Sequence, residues 1–334
     1  MKSRIVILLF PFLFAGCHLI DDDLSVCGEE VLVTYELQLH TELSMQLETE
    51  LHAESDIPVR NALQKYLEPV FTDKAKDIDL RFYKNETDEL RHLIQEVIND
   101  NRTSYTIHLP HENYMHLGVA NIEDNTQVQF LGAEHSATAE LYMPSKEKLN
   151  PLNTGIFTAR LPMNITETSR HFDVHLYMVN AAVAVVFDVP GNSGVATLSG
   201  DILGCAESFS VKDSIFSYAG ARTYLMEEIP IEGGASARKR VQAAESTPTT
   251  RCLATVCMPT KDEQSWNIEI ISSMSNGTKT KTTLTIDDPL KAGTLRVIRC
   301  RLGENGEVKP LGQEVGAIVE LNWHEGDEHS MEPV

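Results

Sequence analysis

The chain has 334 residues, and its 49 acidic side chains outnumber 28 basic ones, which gives a formal charge of −21. Such a surface repels phosphate backbones, so we predict no nucleic-acid partner. Hydrophobic residues make up 42% of the chain, while glycine and proline are few, which indicates folded domains and excludes a disordered stalk. The length is sufficient for two domains, each with its own core.

The first segment has the features of a secretory signal peptide. Two basic residues precede an apolar run, Ile5 to Ala15, that is too short to span a bilayer as a permanent helix. Small residues stand directly before Cys17, as a lipoprotein signal peptidase requires for acylation of the thiol. We predict a signal peptide over 1–16 and a lipid, palmitate included, on Cys17 that anchors the protein to a membrane without a spanning helix. The alternative is an ordinary signal followed by a buried core cysteine.

An acidic cluster follows the predicted lipid, formed by Asp21, Asp22 and Asp23. It resembles the surface-export signal of Bacteroidetes lipoproteins, although a solvated tether is the alternative. We interpret 17–27 as a lipidated acidic tether that places the protein on the cell surface.

Six cysteines are present, and lipidation of Cys17 leaves five, so at least one thiol is unpaired. Their spacing matches no zinc motif, and connectivity cannot be deduced from it. Buried free thiols are the simplest interpretation.

The period of the apolar residues predicts strands and helices in the first part of the chain. A first strand is indicated by alternation, with one apolar face made of Val31, Val33, Tyr35, Leu37 and Leu39. Helical spacing predicts helices over 58–70 and 87–99. Alternation predicts further strands at 78–82, 105–109, 127–131 and 137–143.

Turn-forming residues at 144–154 indicate a boundary, and strand patterns dominate beyond it. These strands are predicted at 157–161, 174–178, 183–189, 266–271, 282–286, 295–300 and 315–323. A stretch rich in glycine, alanine and serine, 232–250, predicts an exposed loop. Short strands separated by turns are typical of antiparallel sandwiches and not of a doubly wound parallel sheet.

We therefore predict a mostly β protein with two tandem antiparallel β-sandwich domains and a few short helices. The N-terminal sandwich, with helical insertions, is assigned to 28–152 and the C-terminal sandwich to 153–324. Residues 325–334 are predicted to form a flexible tail.

The last predicted strand has one apolar face, made of Val315, Ala317, Val319, Leu321 and Trp323. It can be the final strand of the second domain or an element offered to a partner.

No catalytic motif is recognisable: the nucleophile elbow, the zinc-protease helix, the phosphate loop and the calcium loop are all missing from the sequence. His108, His111 and His116 form the densest histidine cluster, but their spacing does not converge on a metal. We predict no enzyme activity, no metal and no cofactor, and interpret these histidines as surface or packing residues.

The segment CHLIDDDLSVC, from Cys17 to Cys27, followed by the first strand, resembles the opening of the Bacteroidales fimbrium-anchoring lipoproteins. Residues 78–83, 104–110 and 178–187 resemble internal strands of the same family. The resemblance implies transthyretin-like sandwich domains, an outer-membrane lipid anchor, and binding of fimbrial stalk or pilin subunits by β-strand addition. The residues named above in the first and last strands are the candidates for strand exchange.

Within that resemblance, the distribution of basic residues favours an anchor over a stalk subunit. The resemblance implies that polymerising stalk subunits are made as precursors and lose their first strand to an Arg-specific protease. In this chain no Arg or Lys lies between Arg4 and Arg60, so such cleavage cannot separate Cys17 from the first strand. The alternative function is a surface glycan-binding lipoprotein of a polysaccharide-uptake system. Sugar-binding proteins usually expose tryptophan rings at the ends of strands. The sequence does not indicate such rings here, because Trp266 and Trp323 lie within strand patterns.

Overall fold

The computed structural model describes residues 30–40, 43–72, 74–98, 102–123, 125–145, 147–169, 171–191, 193–231, 249–312 and 315–321. In these residues the protein is mostly β, with two short α-helices, α1 (Leu43–Glu50) and α2 (Ile57–Leu67). The predicted fold class is confirmed.

The strands up to residue 178 are β1 (Glu30–His40), β2 (Asp77–Lys84), β3 (Leu90–Val97), β4 (Ser104–Pro110), β5 (Asn113–Ala120), β6 (Gln129–Leu131), β7 (Glu140–Tyr142), β8 (Phe157–Asn164) and β9 (His171–Met178). The later strands are β10 (Ala181–Val189), β11 (Val195–Cys205), β12 (Ser208–Ser210), β13 (Ile215–Ser217), β14 (Arg222–Glu228), β15 (Thr249–Cys257), β16 (Trp266–Met274), β17 (Lys279–Ile286), β18 (Leu295–Leu302), β19 (Val308–Pro310) and β20 (Val315–Leu321).

The first sheet has the strand order β3-β2-β5-β8-β9-β1-β4 and folds over on itself. Only two residue pairs join β8 to β9, so the sheet divides there into two halves that face each other. The ring of Tyr35 on β1 packs edge-on against Phe82 of β2, with 6.2 Å between ring centroids. This contact across the halves makes the sheet a sandwich.

The second sheet has the order β19-β18-β10-β15-β14-β11-β16-β17-β20 and is built in the same way. Its two halves are joined by two residue pairs between β14 and β15. A small sheet of order β13-β12-β7-β6 combines two strands from the chain segment that forms the first large sheet, β6 and β7, with two from the segment that forms the second, β12 and β13.

Each large sheet contains one parallel pair among antiparallel neighbours. β1 lies between β4, which is antiparallel, and β9, which is parallel. β10 lies in the same way between β15 and β18. The first strand of each large sheet, β1 or β10, thus lies between one antiparallel and one parallel neighbour, although we detect no sequence repeat between the two parts of the chain that form these sheets.

The helical segment after β1 connects the two large sheets. The Gln46 side chain donates to Gly293 O at 3.1 Å and accepts from Leu295 N at 2.6 Å. Asp56, which precedes α2, is buried and accepts a hydrogen bond from Arg299 of β18. α2 confirms the helix predicted over 58–70.

The helix predicted over 87–99 is wrong, because this segment contains β3. The apolar residues recur at helical spacing, yet β2 offers an edge that pairs with the segment from Asp77↔Val97 to Tyr83↔Leu90. The backbone hydrogen bonds that the segment makes with β2 along its whole length outweigh the small intrinsic preference of its residues for a helix.

The predicted division after residue 152 lies before β8 and β9, and both of these strands pair within the first sheet. A division based on strand pairing falls between β9 and β10. The domain limits given by the sequence remain predictions.

A buried ion pair holds the segment containing β6 against the outer face of β2. Asp79 accepts two hydrogen bonds from Arg81, at 2.7 and 2.8 Å, and a third from Gln95 at 2.7 Å. Arg81 also donates to Ala133 O at 2.9 Å and lies over the ring of Phe130. Every oxygen of the Asp79 carboxylate is therefore engaged.

The four cysteines in the described part of the chain, Cys205, Cys252, Cys257 and Cys300, are buried free thiols. The described residues include no helix that is long and apolar enough to cross a bilayer.

Candidate functional site

The strand β1 lies between β4 and β9 in its own sandwich. β4 pairs with it from Glu30 to Glu36 on one edge, and β9 pairs with it from Thr34 to His40 on the other. The predicted face is buried at Val31, Val33, Tyr35 and Leu37, and Leu39 packs against the core from a partly buried position. The first set of strand-exchange candidates is thus engaged within the chain.

A buried hydrogen bond between side chains fixes β1 to β5. The Tyr35 hydroxyl donates to Nε2 of His116, and Nδ1 of the same ring donates to Arg81 O at 3.0 Å. Burial lowers the pKa of His116 to about 4, so the ring is neutral near pH 7 and Nε2 can accept a hydrogen bond from the hydroxyl group. Phe82 stacks on the imidazole with 4.4 Å between centroids.

β20 is the terminal strand of the second sheet, paired with β17 from Thr280↔Leu321 to Ile286↔Val315. Ala317 and Val319 are exposed, Val315 is half-buried, and Ile318 on the opposite face is 65% exposed. The pattern predicts one buried face, whereas the strand exposes apolar side chains on both faces.

Several sequence predictions lie outside the described residues. These are the signal peptide over 1–16, the tether 17–27 with the predicted lipidation site Cys17 and the acidic cluster of Asp21, Asp22 and Asp23, most of the predicted loop (232–248), Trp323, and the tail 325–334. For Leu321 the structure describes only the backbone pairing.

The outer face of β9 is a polar, exposed stripe that the sequence analysis missed. His171, Asp173, His175 and Tyr177 alternate with inward residues along the strand, and Tyr177 is 59% exposed. The sequence signal for this stripe is a period-two pattern of polar residues containing two histidines, which alternate with the inward apolar residues of the strand.

The C-terminal end of this stripe leads into a groove beside the small sheet. A cavity of about 390 Å³ is lined by His175, Tyr177, Arg160 and Phe216, among others. A second cavity of about 490 Å³ also includes Phe216 and continues to Tyr218. The groove combines aromatic rings with a guanidinium and an imidazole, groups that can stack on and hydrogen-bond to a small polar ligand.

The three histidines singled out from the sequence do not meet. His108 is exposed and lies 4.0 Å from Glu30, whereas His116 is fully buried against Tyr35. The interpretation as surface and packing histidines is confirmed for these two.

No protein-family model matches the chain, and no curated protein sequence matches it. Solved structures do match. A proposed adhesin from Bacteroides thetaiotaomicron aligns with TM-score 0.55 and 10% identity, over 85% of this chain and 95% of that chain. A protein from the same species, described as a proposed polysaccharide-binding protein, aligns with TM-score 0.50 and 9% identity, over 88% and 96% of the two chains.

The fimbrial anchor protein from Porphyromonas gingivalis also matches, with TM-score 0.47 and 10% identity, over 88% of this chain and 99% of that chain. At about 10% identity, the two Bacteroides structures establish a shared fold. The resemblance found in the sequence is thus confirmed at the level of the fold.

Proposed function

We propose that this chain is an outer-membrane lipoprotein of the bacterial cell surface that acts as a fimbrial anchor or assembly subunit and binds pilin subunits by β-strand addition. The observation that carries the proposal is the position of β20 at the end of its sheet among the strands that the structure describes. The strand pairs with β17 on one side, and Ile318 and Val319 expose apolar surface. A partner strand can add main-chain hydrogen bonds along this edge and cover both side chains.

The state of β1 supports an anchor within this proposal. β1 buries one face and pairs with β4 and β9 along part of each edge, and it lies between Arg4 and Arg60, where the chain offers no Arg or Lys to a trypsin-like protease. A subunit that keeps its first strand keeps the connection between its sandwich and a lipid on Cys17. Such a subunit remains on the membrane while its partners polymerise.

Charge on the β20 edge is expected to prevent binding of pilin subunits. The combined substitutions Ile318→Lys and Val319→Lys place two charges on surface that a partner strand must remove from water. We expect this variant to lower pilin recovery at least tenfold. The measurement is a pull-down of the full-length protein from native outer membrane in mild detergent, with mass spectrometry of the bound proteins.

Leu32→Lys is the matched control, because Leu32 is a 49% exposed apolar residue on β1 and lies on the other large sheet. We expect this variant to recover pilin like the wild type. Equal recovery by the β20 variant and the control would contradict strand addition at β20.

The lipid anchor is tested separately. We expect Cys17→Ala to abolish palmitate labelling and to release the protein from the membrane fraction, because the acyl chains supply about 0.8 kcal/mol of membrane affinity per buried methylene. Unchanged labelling would place the acyl group elsewhere and contradict the anchor.

A second candidate function, glycan binding, is favoured by the groove at the end of β9. Exposed Tyr177 and half-buried Phe216 provide ring faces, and Arg160 and His175 provide hydrogen-bonding groups beside them. The same pull-down separates the two functions. Recovery of a porin-type glycan transporter in place of pilin subunits would favour this candidate.

A further inference from the structure

Three side chains converge on the solvent-facing side of β1 and β9, at the end of the β9 stripe that lies away from the groove. Glu36 and Asp173 are register partners in the parallel pair, and His171 lies two residues before Asp173 on the same face. One ligand atom from each side chain lies within 4.8 Å of the other two. Their sequence separation hides the cluster, since residue 36 is far from residues 171 and 173.

We propose that Glu36, His171 and Asp173 bind a divalent transition-metal ion of the zinc class and thereby tie β1 to β9. One imidazole nitrogen with two carboxylate oxygens is a ligand set that suits Zn²⁺, whereas Ca²⁺ and Mg²⁺ take oxygen ligands alone. Three protein ligands leave one tetrahedral position for water. His175 continues the same face two residues beyond Asp173 and offers a second imidazole nearby.

The distances fit an ion between the three groups. Nε2 of His171 is 2.8 Å from Asp173 Oδ1 and 4.0 Å from Glu36 Oε2. Metal–ligand distances of about 2.0–2.2 Å at tetrahedral angles place ligand atoms roughly 3.3–3.5 Å apart. The observed separations lie on either side of this value, so rotations of exposed side chains are sufficient to form the site.

Exposure makes the site accessible to an ion from solution. The side chains of His171, Asp173 and Glu36 are each about half exposed, so an ion from solution can reach their ligand atoms. As an ion pair alone, such an exposed group contributes little to the stability of the folded state. A bound ion adds more, because it stabilises the folded state by mass action.

The consequence is a reinforced first strand. Parallel β1 and β9 are held by backbone hydrogen bonds, and the ion adds a link between side chains of the two strands. β1 is the strand that continues from residues 1–29, so this link resists its extraction from the sandwich. Glu36, His171 and Asp173 form this site from β1 and β9 alone, with no contribution from a pilin partner.

The test is a Zn²⁺ titration of the full-length protein in detergent, free of any histidine tag, by isothermal calorimetry, with Co²⁺ absorption as a second probe. We expect one ion per chain. His171→Asn and Glu36→Gln are each expected to weaken binding at least tenfold. The melting temperature should rise with Zn²⁺ in the wild type and not in His171→Asn.

His108→Asn is the matched control, because His108 is an exposed histidine 4.0 Å from a single carboxylate, that of Glu30. Wild-type affinity in this variant, with loss in the other two, supports the site. No saturable binding, or binding that His171→Asn and Glu36→Gln leave unchanged, overturns it.

Discussion

Asp79→Ala is expected to lower the free energy of unfolding of the first sandwich by about 3–5 kcal/mol, the usual cost of removing one partner from a buried ion pair. The side chains of Asp79 and Arg81 are only 7% and 13% exposed. The substitution leaves the Arg81 guanidinium without the carboxylate that accepts two of its hydrogen bonds, and it also removes the acceptor of Gln95. Urea unfolding followed by circular dichroism measures the loss.

Two further variants test the cause. Asp79→Leu combined with Arg81→Leu removes both charges, and we expect it to cost clearly less than Asp79→Ala alone. Asp288→Ala breaks the more exposed pair with Arg296 and should cost less than about 1 kcal/mol. Equal losses in the single and the double variant at Asp79 would show that packing, and not the unpaired charge, determines the effect.

The second large effect is an acid-induced loss of stability caused by His116. Burial lowers its pKa to about 4 in the folded protein, compared with about 6.5 in an unfolded chain. The unfolded state therefore binds more protons between these values, so this contribution is complete above pH 6.5 and is lost as the pH falls towards 4. At about 1.4 kcal/mol per unit, the total is about 3 kcal/mol.

His116→Gln isolates this effect, because all other groups titrate in both proteins. We expect the variant to be less stable than the wild type at pH 7, since the Tyr35 hydroxyl loses its buried acceptor. The difference should shrink by about 3 kcal/mol between pH 7 and pH 4, as measured by urea unfolding at several pH values. His108→Gln removes an exposed imidazole and should keep the wild-type profile. Parallel profiles for His116→Gln and the wild type would contradict the assignment.

These two effects concern the same part of the molecule. The Arg81 side chain pairs with Asp79, and the Arg81 carbonyl accepts a hydrogen bond from the His116 ring. The same ring accepts a hydrogen bond from the hydroxyl of Tyr35 on β1. The acid titration thus reports on the contact between β1 and β5 across the sandwich. Retention of β1 is what distinguishes an anchor from a polymerising subunit in the proposed function, so its stability bears directly on that role.

Local patterns predicted many of the strands. β1, β2, β4 and β10 follow from alternation or from continuous apolar runs, because each has one or both faces against a core. Strands with weaker patterns were missed. β11 contains Gly200, where an added Cβ would lie 3.2 Å from Leu253, so close approach of strands and not side-chain alternation determines that position.

β14 and β15 are not predicted either, because they flank the stretch rich in glycine, alanine and serine for which the sequence predicts a loop up to residue 250. The structure starts β15 at Thr249, where pairing with Val189 of β10 begins. For β3, the sequence predicted a helix, and the free edge of β2 determined a strand.

Residue type and spacing within short segments establish the mostly β class, the first strand with its buried face, and the lack of recognisable catalytic motifs in the sequence. The packing of the whole chain establishes that β20 comes last in its sheet among the described strands with exposed apolar residues, that Tyr35 meets His116, and that Glu36 meets His171 and Asp173. Each of these depends on which strands become neighbours, and that choice is made by the burial and pairing of the whole chain, which no local period encodes.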